Sequence, residues 1–363
     1  MTDREPEWKH EGTPVGKSRL RKRLELAGAV LVLLALVGVG LYQWKPIQQA
    51  EPAAVSSAAP STAPEEKLRT DEVFDASLYK GMLTVRYLYL DGEVLMGDSI
   101  VIQSPDGKTM LIDAGVNDAG HQVVKYLTKL GINSIDIALN THPHSDHIGG
   151  FASVVNGKEV KAFYMENFPY TNSSYYRRTM EAVNAKKIPV TFLEEGSNFQ
   201  LGSDVSIEVL SPPKGVLPDA IKSYSAAEIN DFALVFKLTY KDTSFLFTAD
   251  IYKHRELELI GSSAEPKLKS DMMHAPHHGN ESTSSSDIFL KTVSPKISVL
   301  SQNLFVSPNL MERYKKKGIT AYSTGMHGNV LITSDGKTLN VVTEREGKRP
   351  IKSGMAGTQM DEK

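Results

Sequence analysis

The chain contains no cysteine. Disulfides, thiolate metal ligands and cysteine nucleophiles are all excluded, so any metal site must be built from His, Asp and Glu. Excess charge is also scarce: 41 Lys and Arg stand against 43 Asp and Glu, a formal net charge of -2. No global field draws in a polyanion, and a nucleic-acid contact would need a local patch. No solenoid repeat is visible, and a single apolar run is long enough to span a bilayer, which excludes a polytopic channel. The apolar, charged and aromatic fractions are those of a soluble globular protein. A length of 363 residues accommodates one large domain or two modest ones.

The apolar run extends from Leu26 to Tyr42, behind the basic cluster Lys17, Arg19, Arg21, Lys22 and Arg23 and ahead of Trp44 and Lys45. Positive charge on its amino side predicts a single-pass anchor with a cytoplasmic N-terminus and the remainder outside the membrane. A buried helix, or a signal peptide cleaved near Ala53 to Ala59, is the alternative. An Ala/Pro/Ser-rich stretch follows that cannot bury enough apolar surface to fold. The expected layout is a basic segment over 1–24, an anchor over 25–45, a linker over 46–76, a folded domain over 77–343 and a disordered tail over 344–363.

Within that domain the pattern begins with consecutive strands near Leu83–Leu90, Ser99–Gln103 and Thr109–Ile112. Mixed strand and helix units follow, among them strands near Asp136–Asn140, Ser244–Thr248 and Ser270–His274. This order predicts an α/β (α+β) fold with sheets covered by helices.

The chemistry is concentrated after the Asp136–Asn140 strand, where Thr141-His142-Pro143-His144-Ser145-Asp146-His147 places four potential ligands within six residues. A strand end is where an open sheet leaves its crevice and where rigid backbone can fix ligand geometry. One loop cannot wrap four ligands tetrahedrally around one ion. His142 and His144 are therefore expected at one divalent metal, and Asp146 and His147 at a second.

His-x-His-x-Asp-His resembles the signature of the metallo-β-lactamase superfamily, which implies an αββα sandwich. Leu111-Ile112-Asp113-Ala114-Gly115 is similar to the strand end that precedes this signature, and Asp113 inherits a supporting role. Independently, a carboxylate there could orient a ligating imidazole by accepting its other N–H, although Asp before Ala-Gly also suits a simple turn. Phe245-Leu246-Phe247-Thr248-Ala249-Asp250 resembles the strand that carries the superfamily's metal-bridging carboxylate, so Asp250 is the expected bridge; locally it could equally start a helix. His277-His278-Gly279 is similar to one branch, the extracellular domain of the DNA-uptake protein ComEC and relatives that include phosphorylcholine esterases. Adjacent side chains diverge, so one histidine of the pair is expected to ligate, and His278 is assigned to the metal and His277 to the substrate. His274 reads as a packed core histidine.

Two departures stand out. No histidine occurs from Ile148 to Ile251, whereas many superfamily members draw a third histidine for the first metal from that interval. Asn230, Asp231 or water could replace it, and an oxygen-rich shell would make manganese more competitive with zinc. Asn303 is also not followed by the histidine that the ComEC-like pattern tends to carry.

Two flanking segments are candidates for substrate contact. Asn280 and the hydroxyl run Ser282 to Ser286 could meet phosphate oxygens or merely cap a helix. Phe168 to Arg178 mixes aromatics and arginines as a single-strand nucleic-acid platform would, or packs as an amphipathic helix.

The expected activity is metal-assisted hydrolysis with two divalent ions, zinc or alternatively manganese, in which hydroxide held between them attacks and Asp146 or His277 manages protons. The resemblance implies a phosphodiester substrate, either nucleic acid or a phosphocholine-like wall group. Competing expectations are a non-catalytic surface binding protein retaining one structural ion, and an accessory factor in DNA uptake.

Overall fold

The computed structural model describes residues 67–305 and 307–352. The expected basic segment, anchor and most of the linker lie outside these residues, as does the tail beyond 352. Among the described residues no helix is long and apolar enough to cross a membrane.

Two large sheets dominate. The first has eight strands in the spatial order Leu339–Thr343, Val330–Ser334, Leu83–Tyr87, Ile100–Gln103, Thr109–Ile112, Ile137–Leu139, Phe163–Glu166 and Val190–Leu193. The second has seven, in the order Thr320–Ser323, Ile297–Leu300, Met272–His274, Thr243–Phe247, Val235–Tyr240, Val205–Ser211 and Asn198–Leu201. Each sheet is antiparallel on one side and parallel on the other.

Side-chain alternation along the strands explains the layering. Met110 and Ile112 point into a core shared with Phe245 and Phe247 of the other sheet. Leu111 points the opposite way, onto the helices Gly120–Lys129, Phe151–Gly157 and Ser174–Ala185. Leu246 likewise packs outward with Leu259, Phe289 and Leu310 from the helices on the second sheet. Strands covered on both faces must be apolar at every position, as the runs Met110-Leu111-Ile112 and Phe245-Leu246-Phe247 are. Each such buried side chain contributes about 1.5–3 kcal/mol. The outcome is helix, sheet, sheet, helix: an αββα sandwich.

Both ends of the expected domain need correction. The helix Thr70–Phe74 buries Val73 and Phe74, with Phe74 stacked on Tyr126 at 5.2 Å. The folded body thus begins inside the stretch expected to be linker, because two apolar residues are too few to register as a pattern. Residues 344–352 also stay on the body: Glu344 accepts from the Asn329 amide at 2.7 Å, Ile351 N–H reaches the Gly325 carbonyl at 2.8 Å, and Lys352 lies 2.9 Å from Asp91 and Glu93.

The carboxyl ends of the parallel strands in both sheets open on one edge. Asp113, Asn140 to His142, Asp250 and the turn after His274 all leave from there, as the crevice rule for parallel strands requires.

Candidate metal centre

His142 to His147 follow the Ile137–Leu139 strand, and Ser145–Ile148 forms a single helical turn. Asp113 locks this loop to the neighbouring strand. Its Oδ1 accepts from the Thr141 peptide N–H at 2.8 Å and the Asn140 amide at 3.1 Å, while Oδ2 accepts from Thr141 Oγ1 at 2.7 Å. The same Oδ2 lies 2.8 Å from His147 Nδ1. A carboxylate can only accept, so Nδ1 carries the proton and Nε2 is turned toward the crevice.

There, Asp146, His147, Asp250 and His278 bring one ligand atom each within 4.8 Å of one another. Asp250 Oδ2 lies 3.3 Å from His147 Nε2 and 3.2 Å from His278 Nε2, and Asp146 Oδ2 is 3.3 Å from His278 Nε2. These are charge contacts without hydrogen-bond alignment: His147 Nε2, His278 Nε2 and Asp250 Oδ1 are buried and make no hydrogen bond. Buried polar atoms are expensive to leave without a hydrogen bond, and here two imidazole nitrogens from separate strand ends meet the same Asp250 carboxylate. That is the donor chemistry and arrangement a divalent cation requires.

The electrostatics agree. Burial opposes charge on His147 and His278, yet Asp250 with Asp146 and Asp113 holds His147 well above the ordinary imidazole range, and Asp250 with Asp98 does the same to His278. Asp250 and Asp146 are kept ionised against burial, by His278 and His147 in the first case and His147 and His278 in the second. Protons on these rings balance the carboxylates where cations would otherwise do so.

His142 and His144 face each other, with Nε2 of the first 3.0 Å from Nδ1 of the second. Burial, and then His147 and His144, push His142 well below its ordinary value, which leaves it neutral. The His142 and His147 rings are 4.0 Å apart, so the two pairs adjoin.

His277 and His278 both adopt left-handed backbone, with φ of 50° and 52°. Such conformations cost on the order of 1–3 kcal/mol each and persist only where surroundings over-determine them. Here they present two adjacent imidazoles on one edge. His278 reaches the carboxylates, whereas His277 Nε2 stays 4.0 Å from Asp250 and its Nδ1 lies 2.6 Å from Thr283 Oγ1. Burial lowers the His277 pKa below its ordinary value.

The two further oxygen candidates each carry a buried Oδ1 without a hydrogen bond. Asn230 lies in a segment tied to the site by the Leu234 N–H to the Thr141 carbonyl at 2.9 Å. Asp231 joins none of the close groups of His, Asp and Glu among the described residues, and its Oδ2 lies 3.6 Å from His254 Nδ1.

Both flanking segments favour their structural readings. Phe168, Tyr170 and Tyr224 stack on one another at 5.7–6.0 Å above Ile221 and Ile229, and Arg177 donates to the Thr171 and Asn172 carbonyls. Ser282 binds Asn280, Ser284 binds the Pro276 carbonyl and Ser286 caps the next helix.

Thr283, one of the hydroxyl run expected near the site, approaches His277. Two residues were missed in the sequence: Asp98 approaches both His274 and His278, and Glu166 is buried with neither carboxylate oxygen hydrogen-bonded. Burial raises Glu166 well above the usual carboxylate range. A Gly-Asp pair in a loop and one acid ending a strand carry no local signal.

The model of the metallo-β-lactamase superfamily matches residues 92–213. Among curated proteins, the chain is 23% identical over 267 residues to ComE operon protein 3 of Bacillus subtilis, covering 66% of this chain and 33% of that protein. It is 26% identical over 204 residues to Endoribonuclease YSH1 of Kluyveromyces lactis, covering 52% of this chain and 26% of that protein. The chain thus spans about a third or less of the length of either relative. Among solved structures, a metal-dependent hydrolase of the β-lactamase superfamily aligns with TM-score 0.42 and 13% identity, over 72% of this chain and 99% of that one.

Proposed function

We propose that this chain, which carries a domain of the metallo-β-lactamase superfamily, is an extracytoplasmic, membrane-anchored phosphodiesterase or nuclease with a dinuclear centre. The observation that carries this reading is the convergence of Asp146, His147, Asp250 and His278, one ligand atom of each within 4.8 Å of the others, with His147 Nε2 and His278 Nε2 buried and not hydrogen-bonded. A relative whose name is endoribonuclease supports phosphodiester chemistry, and the likeness to ComE operon protein 3 supports the branch.

Asp146, His147 and His278 would hold one ion, His142 and His144 the other, and Asp250 would face both, with the buried Asn230 oxygen as the candidate third donor to the histidine pair. Zinc suits the imidazoles; manganese is the alternative at the oxygen-richer position. Bound divalent ions would supply an activated water at neutral pH and neutralise charge on the phosphoryl oxygens. Asp113 fixes the His147 ring. Asp146, ionised and partly exposed, can accept a proton at the mouth of the site. His277, neutral and oriented by Thr283, can exchange a proton with the departing oxygen.

The test is a screen of the domain against chromogenic phosphodiesters and single-stranded DNA or RNA, with zinc or manganese added. Turnover is expected with about two metal equivalents, and loss of turnover in Asp146→Ala and His147→Ala. The absence of a third histidine favours a second reading, a binding protein with one structural ion. One tightly held equivalent with no turnover would select it.

A further inference from the structure

Asp98 has no role in the reading above, yet it is 1% exposed, brings a carboxylate oxygen within 4.8 Å of ligand atoms of Asp113 and His147, and turns its two oxygens to two different histidines. Oδ1 lies 2.9 Å from His278 Nδ1, and Oδ2 lies 3.1 Å from His274 Nε2. The carbonyl of Ser301 is also 3.0 Å from His278 Nδ1. The backbone of the same residue is tied into the signature loop: Asp98 N–H donates to the Asp146 carbonyl at 3.2 Å, and the Asp98 carbonyl accepts from Gly115 at 2.8 Å. Gly97, at φ +78°, lets this approach happen, because a Cβ there would meet the Asp146 carbonyl oxygen at 1.7 Å. Asn303 braces the loop from the far side, accepting from Met96 N–H at 3.0 Å and donating to the Gly92 and Val94 carbonyls at 3.0 and 2.8 Å.

We infer that Asp98 is a positioning residue of the ion site formed by Asp146, His147 and His278: it holds the His278 ring with Nε2 toward the crevice, as Asp113 holds His147, and fixes that ring's distance from Asp146. The inference deepens the dinuclear reading and rests on His278 being a ligand. Acceptors on the outer nitrogen of a ligating histidine fix its tautomer and raise its basicity, and their loss lowers metal affinity or activity about 10–100-fold. Because the Ser301 carbonyl remains as a second acceptor, the effect of removing Asp98 belongs near the lower end of that range. A carboxylate facing both Nδ1 of one ring and Nε2 of another also explains His274, whose place at a strand end reads locally as core packing.

The experiment measures metal affinity of the purified chain by chelator competition, with zinc, for wild type, Asp98→Asn, His274→Gln and His278→Ala, and records the cobalt absorption spectrum of each. Wild type with two equivalents, and His278→Ala with one, would support the underlying reading. Two equivalents in His278→Ala at wild-type affinity would overturn that reading itself. Given the first result, Asp98→Asn is expected to weaken one equivalent about tenfold, to alter the cobalt bands of that site only, and to lower kcat with KM unchanged. His274→Gln is expected to stay within about threefold of wild type, because Asp98 keeps His278. Wild-type affinity and spectrum in Asp98→Asn would overturn the inference. So would equal losses in Asp98→Asn and His274→Gln, which would mark the trio as a packing unit.

Discussion

Replacing Asp250 by asparagine preserves shape and removes one charge from the cluster it forms with Asp146, His147 and His278. In the metal-free protein that carboxylate lies 3.3 Å from His147 and 3.2 Å from His278, so its loss has a direct cost. Breaking a buried ion pair on one side costs about 3–5 kcal/mol. Metal binding must therefore be read as a difference within each protein, with and without the ion. For wild type at a free concentration 100 times the dissociation constant, each occupied site stabilises the folded state by about 2.7 kcal/mol. For a domain of this size one kcal/mol corresponds to about 2 °C in Tm, so each site should raise Tm by about 5 °C. Asp250→Asn should retain less than about 2 °C of that rise at the same metal concentration. Differential scanning calorimetry of both proteins, after chelator treatment and after zinc addition, gives the comparison. An equal metal-dependent rise in the two proteins would refute a bridging role for Asp250, whatever the effect on the metal-free protein.

Binding should also release protons. His147 and His278 are held above the ordinary imidazole range by Asp250 and its neighbours, so a metal must displace a proton from each, and affinity should rise with pH by up to about two decades per unit near neutrality. Titration calorimetry in buffers of different ionisation enthalpy counts these protons, and a pH-independent affinity between about 6 and 8 would contradict the ring charges assigned here. Gly97→Ala should lower the urea midpoint by an amount equivalent to about 1–3 kcal/mol and reduce turnover with it, because the methyl group displaces the Asp146 carbonyl; an unchanged midpoint would mean that the two loops do not touch. Thr283→Val should reduce kcat about tenfold with metal content unchanged, since His277 loses the hydroxyl 2.6 Å away; wild-type turnover would remove His277 from proton handling.

How much was legible depended on where the information was stored. The signature loop compresses His142, His144, Asp146 and His147 into six residues, so it announces itself against any background. The sheet strands were legible for a related reason. Strands buried on both faces need continuous apolar runs, as Met110-Leu111-Ile112 and Phe245-Leu246-Phe247 are. The boundaries were less so: Val73 and Phe74 are folded by contact with Tyr126 and Arg86, and residues 344–352 by contact with Asn329, Gly325 and Asp91. None of those partners is a sequence neighbour. The Asn198–Leu201 strand was missed because it is an edge strand with half its residues exposed, and edges tolerate polar sequence.

Asp98 marks the limit more sharply than any boundary does. Locally it is the second residue of a Gly-Asp turn, and turns of that composition are common in loops. Its role comes from His278, 180 positions away, and from the shape of the backbone at both ends of the contact. Among the described non-glycine residues with positive φ, Asp113, Ala249, His277 and His278 lie beside the centre, where the surrounding structure holds conformations that are costly elsewhere. A propensity argument reads such positions as poor choices. The sandwich supplies rigid strand ends that make them tolerable, and the second-layer carboxylates Asp98 and Asp113 convert that rigidity into a fixed orientation for two imidazoles. The candidate ligands and the orienting Asp113 can therefore be read from sequence, whereas Asp98, which reaches its histidines from a distant loop, needs the fold.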